Sequence, residues 1–380
     1  MISDYINGVK ANLFGNCFEK NLWYFEAGST LNTEKYMEFI YETVSNSFVQ
    51  ITEKSGGFPE NISYGGRSPY LHANQLTTAL LIPTLLKVNN KLYSNKIFDQ
   101  FSVRWLTTVL LAEDHPVEYD TSYDHAAVLL AIIALYESGH DAVDFNLLKQ
   151  VSDSVINKYE KWNNGHNKGS TANQLSHDSM VGYSIVSVAN ALENNYYQDF
   201  GLEILKICIE KYPFGLLVMD GIQKEPKDKN IINLRSFLIL IEALINTAIV
   251  TGQNKWIDTV LPFILRLHQK FEISRTLLKT EYNFNWKPVS RQIDIISNPH
   301  IASIWFTVGL HLNDNLLLNS AFKMMDILRG VILSNSTHNL GFPVHFPPRG
   351  ISSPVVINNI SAKYFLEASA KELEARKFFE

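Results

Sequence analysis

The densest run of chemistry-bearing side chains in this 380-residue sequence is Glu118-Tyr119-Asp120-Thr121-Ser122-Tyr123-Asp124-His125. It directly precedes the apolar stretch 126–135, so it sits at a loop-to-helix junction. A helix beginning at Thr121 makes Asp120 its N-cap, the carboxylate accepting hydrogen bonds from orphan backbone amides. Asp124 and His125 then fall in the first turn or just beyond. A carboxylate held at a buried helix start can act as general acid or base, its pKa set by burial against the helix dipole. The plainer reading is that Asp120 caps and Asp124 complements the dipole. Tyr123, Asp124 and His125 together weigh evenly between the two.

Four further groups have the right residue types. His166, Asn173, Gln174, His177, Asp178 and Tyr183 follow the Gly-rich segment 163–169. His177 and Asp178 can move protons with Tyr183 or bind sugar hydroxyls, and their spacing is not that of the HExxH metal signature. Tyr64, Arg67, Tyr70, His72, Asn74 and Gln75 combine aromatic stacking faces with a guanidinium able to clamp a carboxylate or phosphate. Tyr282, Asn283, Trp286, Lys287, Arg291, Asn298 and His300 occupy an unusually long connection. His345, Phe346 and Arg349 form the last group. For each, a loop packed by its own side chains is about as good an explanation as a site.

The elements that must position these groups are helical. Apolar periodicity predicts helices at 34–54, 71–89, 94–111, 121–138, 144–161, 175–194, 198–210, 231–251, 254–271, 299–313, 315–334 and 357–374. Thr33 and Asn254 read as start signals, and Gly139, Gly252 and Gly330 as stops. No series of short alternating segments suggests a sheet, and no stretch reads as a linker. The expected architecture is an all-α (α/α)6 toroid of about twelve helices in sequential hairpins, forming a single domain over 1–380. In each hairpin one helix is nearly all apolar, as expected of a buried inner helix. An open solenoid is the alternative, but it needs polar capping repeats that are not evident. One internal echo favours closure: Gly57-Phe58-Pro59 with Arg67-Ser68-Pro69, and Gly341-Phe342-Pro343 with Arg349 and Ser353-Pro354, each run into a helix. In a closed ring these two loops are neighbours, and Arg67 and Arg349 can reach one anionic group.

Hydrophobic residues make up 46% and charged residues 19%, as in a globular chain. A net charge of −5 argues against nucleic acid as a partner. Cys17 and Cys208 make neither a disulfide framework nor a thiolate zinc site. No cluster has zinc or calcium spacing, so no metal and no cofactor are expected. There is no Walker loop, no dinucleotide-binding glycine signature and no nucleophile elbow. The N-terminal segment does not read as a secretory signal, and no apolar run reads as a membrane span. A cytoplasmic protein with no membrane partner is therefore expected, its oligomeric state open.

Two stretches resemble a known group. Trp105-Leu106, then Tyr119-Asp120-Thr121, then Ala131-Ile132-Ile133-Ala134-Leu135-Tyr136-Glu137-Ser138-Gly139 is similar to α/α-toroid proteins of carbohydrate metabolism. The segment Ser361-Ala362-Lys363-Tyr364-Phe365-Leu366-Glu367-Ala368 is similar to a closing helix of that group. It includes epimerases, uronyl hydrolases and polysaccharide lyases, with terpene-cyclase toroids more distant. The resemblance implies an enzyme acting on an oligosaccharide or glycoconjugate, with a uronate among the candidate sugars. Hydrolysis would draw two carboxylates from Asp120, Asp124 and Asp178. Elimination or epimerisation would use a His or Tyr base, with Arg67 or Arg349 neutralising a uronate. A terpene-cyclase-like use of Asp120 and Asp124 as acids, and a non-catalytic binding or scaffold ring, stay open. A deep central pocket with converging charged and aromatic groups favours an enzyme; a filled centre favours a scaffold.

Overall fold

The structure, a computed structural model, describes residues 33–45, 49–52, 55–63, 73–88, 100–112, 122–165, 172–211, 231–283, 285–334, 345–346 and 356–379. Twelve helices are present among them: α1 (Thr33–Ser45), α2 (Gln75–Val88), α3 (Gln100–Leu111), α4 (Ser122–Glu137), α5 (Phe145–Gly165), α6 (Ala172–Leu192), α7 (Asn195–Lys211), α8 (Leu234–Thr251), α9 (Lys255–Ser274), α10 (Ser297–Leu312), α11 (Asn315–Ser334) and α12 (Asn359–Phe379).

They form a closed double ring. The inner helix α2 packs on α4, α4 on α6, α6 on α8, α8 on α10, α10 on α12, and α12 back on α2. Among the outer helices, α1 lies against α12, α5 against α4, α7 against α6, α9 against α8 and α11 against α10. The inner helices are apolar on nearly every side because both the ring interior and the outer layer cover them. In α4, residues 126–129, 131–133 and 135 are all buried. The same requirement makes α8 long and apolar enough to span a membrane by composition, although it is an inner helix of the ring. Close packing reaches the backbone between α6 and α7: a Cβ on Gly201 would stand 2.6 Å from the Gly182 carbonyl oxygen.

The connections that leave the inner helices α6, α8 and α10 are tight. Gly139 and Gly252 adopt φ of 73° and 68° after α4 and α8, and Asn313 adopts 53° after α10. These left-handed residues end helices by turning their N–H groups back on the last carbonyls. Connections from outer to inner helices are long, so the long loops and the inner-helix N-termini gather at one rim. Short antiparallel ladders join these loops: β4 (Ile231–Asn233) pairs with β5 (Glu281–Asn283), β6 (Ile293–Asp294) with β7 (His345–Phe346), and β3 (Asn61–Ser63) with β8 (Val356–Asn358). The last ladder joins the loop before α2 to the loop before α12. Asn359 reinforces it, its N–H donating to Glu60 O at 2.9 Å and its amide to Pro59 O at 2.6 Å. The Gly57-Phe58-Pro59 segment is thus beside the last loop, as ring closure requires, with Phe58 buried.

The structure corrects several boundaries. The first helix stops at Ser45 instead of continuing to 54, because 49–52 is strand β1 (Val49–Thr52), paired with β2 (Ser55–Gly57). α6 begins three residues earlier than its periodicity suggests. Gly330 lies inside α11 and not at a stop. Asn254 does precede α9 but makes no side-chain cap; its Oδ1 meets His311 Nε2 at 3.0 Å, across the short-turn face.

Candidate functional site at the centre of the ring

Five of the six inner helices face a central cavity of about 310 Å³, and each contributes a stripe of residues three or four apart. These stripes are Ala79, Leu80 and Pro83 on α2; Tyr123, Ala127, Leu130, Ala134 and Glu137 on α4; Met180, Tyr183, Ser187 and Asn190 on α6; Glu242, Asn246 and Val250 on α8; and Lys363 and Glu367 on α12. The sixth inner helix, α10, supplies His300 to the polar wall behind them.

The polar groups concentrate nearer the loop rim. His300 Nε2 lies 2.9 Å from Glu242 Oε2. The ring does not make an aligned hydrogen bond there, and its Nδ1 has no hydrogen-bond partner among the described residues. Tyr364 stacks on the imidazole, with centroids 4.1 Å apart and planes 18° from parallel. The Tyr364 and Tyr123 side chains are hydrogen-bonded, and Tyr123 stacks on His177 at 5.3 Å. Lys363 Nζ sits 3.1 Å from Glu367 Oε2 and 3.8 Å above the Tyr364 ring centre. Thr84 donates to the other Glu367 oxygen at 2.7 Å. Further from the rim, Lys371 donates to Thr307.

Electrostatics follow from this enclosure. Burial by itself would raise the Glu242 carboxyl, but the Lys363 ammonium and His300 outweigh it and hold the group below the usual carboxylate range. Burial lowers Lys363, yet Glu367 and Glu242 overcome that and raise it. Glu242 and Lys363 are therefore locked in their charged forms. Tyr123 and Tyr364 are pushed well up, chiefly by burial, and Tyr183 up to about 12 for the same reason. All three phenols remain proton donors at neutral pH. Burial draws Lys371 down to about 8.

Of the residues expected from sequence, Tyr123 and Tyr183 line the cavity, while His177 and His300 stand directly behind it. His125 and Asp178 do not join them. His125 borders a separate void of about 10 Å³ with Ser122, Tyr159 and Trp162, where burial lowers it to about 4. Asp178 is buried on the outer side of α6 near Tyr159 and Cys208, and burial raises it to about 7. Asp124, half-buried in the first turn of α4, is not on the cavity wall. Trp286 cannot offer a stacking face, because it is 1% exposed and packed on Phe237 and Tyr282. Arg291 is exposed on the surface. His345 contributes its backbone to the β6–β7 ladder. Asn74 caps α2 through Thr77 N, and Asn298 ties down the Leu278 backbone, so both are structural. Asp120, Tyr64, Arg67, Tyr70, His72 and Arg349 lie outside the described residues.

Sequence reasoning missed Glu242, Lys363, Tyr364 and Glu367 as site residues. The available signal was a charge inside an apolar helix. Glu242 interrupts Phe237-Leu238-Ile239-Leu240-Ile241 and Ala243-Leu244-Ile245, and such a residue is seldom buried without a partner.

A closed ring of six helical hairpins around a charged cavity defines the class: the chain has the α/α-toroid fold. No family model and no curated relative matches the sequence. Solved structures do match it in fold. An unsaturated glucuronyl hydrolase specific for heparin superposes with a TM-score of 0.61 at 12% identity, over 91% of this chain and 98% of the other. A D-mannose isomerase gives 0.60 at 10% identity, over 92% and 100%. The cellobiose 2-epimerase of Bacillus thermoamylovorans gives 0.59 at 11% identity, over 88% and 98%.

Proposed function

We propose that the protein is a carbohydrate-active enzyme that moves a proton at a sugar carbon, an isomerase or epimerase, with the Glu242–His300 pair as its reaction centre. The observation that carries this reading is the 2.9 Å contact between the two side chains beside the cavity. A base that abstracts the proton next to the carbonyl of an open-chain sugar generates an enediolate. Returning that proton to the opposite face gives the epimer; returning it to the neighbouring carbon gives the ketose or aldose isomer. Glu242 lines the cavity and is the group that meets the sugar proton, and His300, 2.9 Å behind it, takes that proton on and is stabilised in its charged form by the carboxylate. Lys363 and the Tyr123 phenol are suited to stabilising the developing oxyanion. The names of the structural neighbours, isomerase and epimerase among them, support the substrate class.

Hydrolysis fits the cavity less well. It needs one protonated carboxyl beside the scissile bond. Glu242 is held anionic and Glu367 is paired to Lys363; burial raises Glu137, but that carboxyl stands at the far end of the cavity from the Glu242–Lys363 level. The uronate and alkene-protonation readings depended on Arg67, Arg349 and Asp120, which lie outside the described residues, and on Asp124, which does not reach the cavity.

The test is proton exchange. The protein is incubated in D2O with reducing mono- and disaccharides, and deuterium uptake next to the carbonyl is followed by NMR. Uptake that His300→Asn abolishes, with an unchanged melting temperature, is expected. Cleavage of glycosides with no exchange in any reducing sugar would overturn the proposal.

A further inference from the structure

The level of Glu242, Lys363 and Glu367 occupies only one end of the cavity. Along α8 its wall continues through Asn246 and Val250, each about one turn further from the loop rim. From Glu242 to Val250 the drop is about 12 Å at 1.5 Å per residue, longer than a single pyranose ring. α6 descends beside it through Ser187 and Asn190, and α4 through Leu130 and Ala134 to Glu137. The lower half therefore alternates apolar surface with hydroxyl and amide groups.

Most of these polar groups are already engaged. Ser187 donates to Tyr183 O at 2.9 Å, and Asn190 donates to Val250 O at 3.4 Å. Asn246 differs: it lines the cavity, and its side-chain amide has no hydrogen-bond partner among the described residues. An amide offers both donors and an acceptor, which matches hydroxyl groups and leaves unmet potential without them. One turn above it Glu242 and Glu367 meet the Lys363 ammonium, and Lys371 is buried close by, its charge acting on both carboxylates.

We infer that the half of the cavity below Glu242 is a second sugar subsite, that Asn246 is its hydroxyl-recognising residue, and that the substrate is a disaccharide. This rests on the carbohydrate reading of the reaction centre. The apolar side chains of Leu130, Ala134 and Val250 take the C–H faces of the ring, and Asn246 takes its hydroxyls. The volume, at the lower end of the range for small-molecule sites, suits one or two rings.

Binding decides this independently of turnover. The intact protein is titrated calorimetrically with glucose and mannose, and with maltose, cellobiose and 1,6-linked mannobiose. At least one disaccharide is expected to bind tenfold or more tighter than its own monosaccharide. Asn246→Leu, which removes the amide and fills the subsite, should cut that preference at least fivefold. Asn246→Ala makes the same comparison if the leucine variant does not fold. Equal affinity for mono- and disaccharides, or an undiminished preference in the variants, overturns the subsite. If no sugar binds at all, the carbohydrate reading itself falls.

Discussion

Glu372 closes the ring, and its removal should be felt by the whole molecule. Its carboxylate is 0% exposed. Oε2 accepts from Arg329 Nη1 at 2.7 Å and Oε1 from Arg329 Nη2 at 3.1 Å, a bidentate pair from α11. Oε1 also accepts from Thr33 of α1 at 3.2 Å and from Arg376 Nη2 at 2.6 Å. One side chain thus joins the first, penultimate and last helices. Glu372→Gln keeps the shape but removes the charge, leaving the guanidinium of Arg329, whose side chain is 6% exposed, with the half-exposed Asp326 as its remaining carboxylate. Breaking a buried pair from one side costs about 3–5 kcal/mol. Arg376 is half exposed, so water replaces most of its share and it adds little. With an unfolding entropy of about 2.1 cal/mol/K per residue, a cooperative 380-residue chain has roughly 0.8 kcal/mol/K, so the melting temperature should fall by about 4–6 °C. Scanning calorimetry of wild type and variant measures this directly, and a single transition in both tests the proposal that 1–380 unfolds as one domain. A fall of less than 1 °C would refute the argument, since it would mean that closure does not depend on the pair. A second, earlier transition in the variant would show that the closing helices come away separately.

Gly201→Ala places a methyl 2.6 Å from the Gly182 carbonyl and 2.8 Å from Val186 Cγ2, so a loss of about 1–3 kcal/mol is expected from urea unfolding. Asp178 has a folded pKa of about 7, above the ordinary value, so the folded state holds its proton where the unfolded state has released it, and stability falls as pH rises from about 4 to 7. Asp178→Asn removes that penalty, so its stability relative to wild type should climb by about 1.4 kcal/mol per pH unit across this window; a pH-independent difference in urea midpoints would contradict the burial argument. His125, lowered to about 4, works in the opposite sense: its stabilising contribution is lost as pH falls from about 6.5 to 4, so wild type should be nearly flat there with respect to these two groups. Glu242→Gln should lower kcat at least a hundredfold if Glu242 meets the sugar proton, and sugar exchange measured at near-wild-type rate would remove it from the mechanism.

The ring was legible because its signals are long-range averages. Apolar runs such as 126–135 and 237–241 are too apolar for a helix with one wet face, and their alternation with amphipathic partners such as α5 implies two layers. The αL stops at Gly139 and Gly252 were legible because glycine tolerates positive φ, whereas Asn313 and Arg275, at φ of 53° and 51°, carry the same geometry without announcing it. Strand β1 was missed because its pairing with β2 overrides helical periodicity, and two to four residues of ladder leave no pattern to detect.

The site was less legible for a different physical reason. Local density of polar residues, the signal that drew attention to 118–125, reports a helix start and its capping demands as readily as a reaction centre. Among the described residues of that run, 122–125, only Tyr123 reaches the cavity, because a helix turns each successive side chain by about 100°. His125 is thereby sent toward α5. A toroid builds its centre from one or two residues per inner helix, three or four apart, separated in sequence by a whole hairpin. Glu242, His300 and Lys363 come from three such helices, and Glu242 stands alone among apolar neighbours. In this architecture an isolated charge in an inner helix is therefore better evidence of a site than a polar cluster in a loop. Enclosure by neighbouring apolar walls is costly for such a group unless partners from other hairpins meet it, and that convergence fixes the geometry on which the proposed proton transfer depends.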